Sequence, residues 1–107
     1  MAEKPRLKLP KEAKKGDIIE IKTLMSHIME TGYRHDETGH PIPRDIINTF
    51  VCFYNNVEVF RAELYPAIAA NPFITFSTVA TESGVLAFQW IDDKGETYSE
   101  TARITVE

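Results

Sequence analysis

The chain has 107 residues, 43% of them hydrophobic and 10% aromatic, with a formal charge of −4 at neutral pH. That is one domain of ordinary size with apolar content enough for a core, so residues 1–107 read as a single domain. The acidic balance argues against nucleic acid as the main partner, since duplex binding needs a basic surface, and no apolar run reaches the roughly 20 residues of a membrane helix.

Period-two alternation dominates over helical spacing. Arg6-Leu7-Lys8-Leu9 alternates and then meets Pro10, which suits an edge strand. Lys14-Lys15-Gly16-Asp17 is a turn. Residues 18–26 form the next strand, with Ile19, Ile21 and Thr23 on one face. The stretch 27–44, HIMETGYRHDETGHPIPR, follows: eighteen residues of turn chemistry that hold all three histidines. Ordinary connections run to about 4–6 residues, and longer ones are usually functional or disordered.

Residues 46–54 (IINTFVCFY) read as a central strand, and Asn55-Asn56 as a tight turn into 57–62, because asparagine tolerates positive φ. Residues 65–72, with two prolines, form a second irregular segment. Residues 73–80 and 85–91 are strands joined at Glu82-Ser83-Gly84, and Trp90 is expected in the core. Asp92-Asp93-Lys94-Gly95 turns the chain into a last strand over 97–106. About seven short alternating strands without a convincing helix predict an all-β, Ig-like antiparallel β-sandwich.

Chemistry-bearing residues are few. His27, His35 and His40 do not have a zinc-ligand spacing. Cys52, the lone cysteine, shares a face with Phe50 and Tyr54 in an apolar strand and reads as a buried, inert thiol. An intermolecular disulfide and a carrier thiol are the sharper alternatives, although a mid-strand site offers a carrier neither exposure nor a depressed pKa. A blue-copper site is excluded, because in that family a histidine follows the cysteine and none follows Cys52 here. No nucleophile elbow, zinc-protease helix or phosphate-binding loop is present. Asp92-Asp93 beside Gly95 reads as a turn former, since neighbouring carboxylates there diverge.

The segments KPRLKLPKEAKKGDIIEIKTLMSHIMETGYR, PIPRDIINTF, VFRAEL, AIAANPFITF and WIDDKGETYSET together resemble the SoxZ family, the small subunits of bacterial SoxYZ sulfur-carrier complexes. The likeness runs from about Lys4 to the end of the chain, and SHIMETG with ANPF is its most specific part. It implies a role in thiosulfate oxidation. In such complexes the SoxY partner holds sulfur intermediates on a cysteine in a mobile C-terminal GGCGG arm, on which successive Sox enzymes act. This chain ends in Ile104-Thr105-Val106-Glu107, without such a tail, so the resemblance implies the non-catalytic partner sandwich.

A heterodimer with a SoxY-like protein is therefore expected, with transient contacts to other Sox enzymes and with no catalytic, cofactor-binding or metal residues. Candidate interface anchors are Met29, Tyr33 and Arg44 in the long loop, and Arg61, Tyr65 and Phe73 around the second irregular segment. The N-terminus has no apolar signal region, which alone would indicate the cytoplasm. The resemblance instead implies the periplasm, reached by export together with the partner. Two other readings remain at this point: a small metal-dependent redox sandwich using the loop histidines, or an Ig-like scaffold module.

Overall fold

The computed structural model describes residues 5–25, 32–33, 35–65 and 73–107. Eight strands follow in chain order: β1 (Arg6–Lys8), β2 (Glu12–Ala13), β3 (Ile18–Leu24), β4 (Ile47–Tyr54), β5 (Val57–Glu63), β6 (Phe73–Val79), β7 (Gly84–Asp92) and β8 (Thr97–Val106). They form one sheet ordered β1-β3-β6 and another ordered β2-β8-β7-β4-β5. The expected all-β sandwich is borne out. One strand was not anticipated: β2 is two residues long and lies parallel to β8, while every other pair is antiparallel.

Alternation decides which side chains meet between the sheets. Ile19, Ile21 and Thr23 of β3 are buried, as are Phe50, Cys52 and Tyr54 of β4 and Leu86, Phe88 and Trp90 of β7. Phe50 is the hub of the core. Its ring lies 5.2 Å from Trp90, 5.8 Å from Phe76, 6.0 Å from Phe60 and 6.3 Å from Phe88, between centroids. Fully burying one such side chain contributes about 1.5–3 kcal/mol, so this cluster spanning both sheets dominates the packing. Burial also pushes the Cys52 thiol up to about 12.

The turns follow from their residues. Asn55 and Asn56 have φ of +48° and +70°, the two positive values that a two-residue hairpin needs. Asn55 Oδ1 then accepts from the Val85 N–H at 2.9 Å, and its side chain fills the space where a Cβ on Gly84 would stand. In the 92–95 turn the Gly95 N–H donates to Asp92 O, while Asp92 Oδ1 accepts from the N–H groups of Lys94 and Glu96.

Hydrogen bonds at one end of the sandwich fix the direction of its strands. The Ala80 N–H donates to Asp17 O, and the N–H groups of Thr81 and Glu82 donate to the Tyr54 hydroxyl. The start of β3 and the ends of β4 and β6 therefore share that end. Leu24, Ile47 and Phe73, at the other termini of the same strands, lie together at the opposite end, where the long loop emerges.

Candidate partner surface

The described part of the long loop is a built hairpin. His35 and Pro41 form an antiparallel bridge, the Asp36 N–H donates to His40 O at 2.9 Å, and the Gly39 N–H donates to Asp36 O at 3.0 Å. Gly39 takes φ of +84°, which completes a type I turn closed by a left-handed residue. Asp36 Oδ1 accepts from the Thr38 hydroxyl and from the N–H groups of Thr38 and His40. The Thr38 hydroxyl and the His40 N–H hold this carboxyl below its ordinary range. The same Asp-x-x-Gly chemistry shapes the 36–39 and 92–95 turns.

The base of the hairpin is clamped to the sandwich. Arg44 donates from Nε to Asp93 Oδ2 at 2.7 Å and from Nη2 to Asp93 Oδ1 at 2.8 Å. Asp93 also accepts from Asn48 Nδ2 and the Ile46 N–H, and its own N–H donates to Ile46 O. Burial opposes ionisation of Asp93, but the bonds from Asn48, Arg44 and Ile46, with the Arg44 charge, outweigh it and hold the carboxyl low. Lys94 Nζ lies 3.4 Å from Asp45 Oδ2 as a second strut. Gly32 closes the base: at φ of +87°, a Cβ there would stand 3.1 Å from Arg44 Cβ.

Beside the clamp lies a shallow hollow of about 250 Å³ lined by Arg44, Asn48, Thr49, Glu63, Leu64 and Tyr65. The Tyr65 hydroxyl donates to Glu63 Oε2 at 3.0 Å, and that bond, with the Glu63 charge, raises the phenol's pKa. Tyr65 is nevertheless 60% exposed, Tyr33 78% and Phe73 62%.

Tyr33, Arg44, Tyr65 and Phe73 thus lie at one end of the sandwich: Tyr33 follows Gly32 at the base of the hairpin, Tyr65 shares the hollow with Arg44, and Phe73 opens β6 opposite Leu24. Arg61 is not among them: it stands mid-strand in β5, opposite Val51, and pairs with Glu58 at 2.9 Å. Met29 and His27 lie outside the described residues. His35 and His40 are exposed, and the described residues contain no group of three or more His, Cys, Asp or Glu that could hold a metal ion. A larger hollow of about 700 Å³ sits on the opposite flank, between Leu7–Lys11 and Glu100–Thr105, away from the five described candidates.

Sequence reasoning missed Asp93 as the clamp of the loop, taking it for a turn former. Asp92 does form the turn, whereas Asp93 reaches back 49 positions to Arg44, a partner that no local spacing reveals.

Comparison with solved structures finds the same fold in a putative superoxide reductase from Thermotoga maritima (TM-score 0.75, 18% identity, 96% of this chain and 85% of that one). A superoxide reductase (neelaredoxin) from Ignicoccus hospitalis is similar (TM-score 0.74, 17% identity, 99% and 82%). So is the sulfur carrier protein SoxY from Chlorobium limicola f thiosulfatophilum (TM-score 0.66, 13% identity, 96% and 78%). At these identities the likeness concerns the fold alone. A search of the curated proteins finds no match. Residues 7–103, nearly the whole chain, match the family described as sulphur oxidation protein SoxZ. The chain carrying this clamped hairpin and its exposed aromatic rings therefore belongs to the SoxZ family.

Proposed function

We propose that this chain is the non-catalytic subunit of a heterodimeric sulfur carrier, pairing with a SoxY-like protein whose C-terminal cysteine arm holds the sulfur intermediates of thiosulfate oxidation. The family match over residues 7–103 carries this reading. The state of Cys52 supports it: a carrier thiol must be exposed and ionise readily, and Cys52 is fully buried with its pKa raised. Sulfur transfer then falls to a cysteine on another chain.

In this reading the hairpin end, with Tyr33, Tyr65 and Phe73, is the surface turned toward the partner and toward the enzymes that visit it. Exposed aromatic side chains on a rigid support are the usual anchors of such contacts. The Arg44–Asp93 clamp keeps the hairpin in place so that little ordering entropy is lost on binding. The complex works in the periplasm, reached by export of the pair together.

The test is intact-mass analysis of the reconstituted pair during thiosulfate turnover. Sulfur adducts are expected on the partner's arm cysteine and none on Cys52. Adducts on Cys52, or turnover by the partner at full rate without this chain, would overturn the proposal.

A further inference from the structure

A sheet edge left open is a template for another strand, and proteins guard such edges by shortness, charge, bulges or proline. The guards differ sharply along this sandwich. β1 and β2 are three and two residues long, and Arg6 and Lys8 charge the former. β5 carries Glu58, Arg61 and Glu63, and its register against β4 breaks at a bulge. Where β8 runs beyond β2, Glu100 lies on the inward face and its carboxylate accepts from the Thr101 N–H.

β6 has none of these guards. Its seven residues, FITFSTV, include no charge and no proline, and they follow β3 in unbroken register. Among the described residues β6 is paired on one side only. The Ala80 N–H and the Ile74 carbonyl point toward β3, accepted by Asp17 O and bonded by Thr23 Oγ1 respectively. By alternation the backbone groups of Thr75 and Ser77 point outward.

The surroundings of this edge are apolar. Among the described residues, five of the seven exposed large hydrophobic ones, Val57, Val59, Tyr65, Phe73 and Val79, lie on β5, on β6 or just after β5. Behind them Phe60 of β5 and Phe76 of β6 stack at 4.4 Å between centroids, so both edges belong to one flank. Seven strand residues span about 23 Å. A stable interface takes about 800 Å² per partner, more than one added strand supplies, and the β5 side chains across the flank extend the contact.

We infer that β6 receives a strand from the sulfur-carrying partner, which continues the β1-β3-β6 sheet across the heterodimer and seats its apolar side chains against Val57 and Val59. This rests on the proposed pairing. A SoxY-like partner suits the edge because SoxY shares the sandwich fold over 96% of this chain, and a sandwich has edge strands of its own to offer. The segment that docks is extended and uncharged, since a charge opposite Phe73 or Val79 would be desolvated without a counter-ion.

The experiment measures partner affinity, with the whole chain, for two edge variants whose folding is checked by circular dichroism and melting. Ser77→Pro removes an outward N–H while sparing the ladder to β3. Thr75→Glu places a carboxylate on the edge opposite Lys22, its cross-strand neighbour, which favours the fold. Lys15→Glu, in the turn at the end of the sandwich opposite the hairpin, is the control. Both β6 variants are expected to bind at least about tenfold more weakly, a change of about 1.4 kcal/mol, and the control within about twofold. Folded β6 variants that bind like the unaltered chain would overturn the edge while leaving the pairing intact. A β6-dependent homodimer with unchanged partner affinity would assign the edge to a second copy and also overturn it. Failure of the unaltered chain to bind would instead remove the pairing itself.

Discussion

Arg44 and Asp93, 49 positions apart, meet in a two-pronged ion pair at 2.7 and 2.8 Å that ties the base of the long hairpin to the β7–β8 turn. The carboxylate is largely buried and the guanidinium about half exposed, so the pair lies between a surface bridge of little worth and a buried one. Asp93→Asn is expected to destabilise the fold by about 1–2 kcal/mol, read by urea unfolding. Lys94→Ala, which loses only the exposed strut to Asp45, is expected to change stability by less than about 0.5 kcal/mol.

The same carboxylate makes stability depend on acid. Its pKa in the folded chain lies below the ordinary 3.8. The stabilisation is therefore fully present above that value and is lost as pH falls through the lower folded one. Chemical denaturation between about pH 6 and pH 2 should show a steeper loss below about pH 4 in the unaltered chain than in Asp93→Asn. Equal slopes would mean that the clamp does not titrate.

Cys52 is expected to be silent until the fold opens. With a pKa of about 12, about one thiol in ten thousand is ionised at pH 8. A thiol reagent should label native protein negligibly and denatured protein at once. Cys52→Ala should cost about 1–2 kcal/mol through a small cavity, and it should leave partner affinity unchanged.

At the hub of the core, Phe50→Ala should cost about 3–5 kcal/mol, because four aromatic rings lose their common neighbour. Melting of this variant against Phe60→Ala, which lies at the flank and is partly buried, gives the comparison. Phe60→Ala should cost less.

Gly84 gives a pairwise test. A Cβ there would lie 1.8 Å from Asn55 Oδ1, so Gly84→Ala should displace the Asn55 side chain and break its 2.9 Å bond from the Val85 N–H, at about 1–3 kcal/mol. Adding Asn55→Gly keeps the positive φ and removes the clash. The double variant should recover part of the loss, a coupling that a double-mutant cycle reads directly.

The strands and turns were legible in the chain because local chemistry sets them. Alternation placed Ile19, Ile21 and Thr23 inward, Asn55-Asn56 marked a hairpin, and Asp92 with Gly95 marked another. β2 was not legible, since Glu12–Ala13 has no alternation and is held by bonds between Lys11 and Thr105 and between Ala13 and Glu107. The closure of the 36–39 turn repeats the chemistry of 92–95 and could have been read from Asp36 and Gly39. The Arg44–Asp93 clamp and the unguarded edge of β6 could not, because each depends on which strands become neighbours. Of the candidate anchors, Arg44 and Tyr65 line one hollow through that same long-range order, while Arg61 stands apart on β5.

The central claim, that this SoxZ-family chain works as one half of a carrier pair, is tested most directly by co-expressing it with a SoxY-like protein and weighing the purified species by light scattering under reducing conditions. A 1:1 complex that survives reduction is the expected result. Separate elution of the two chains, or a complex that falls apart when disulfides are reduced, would contradict it.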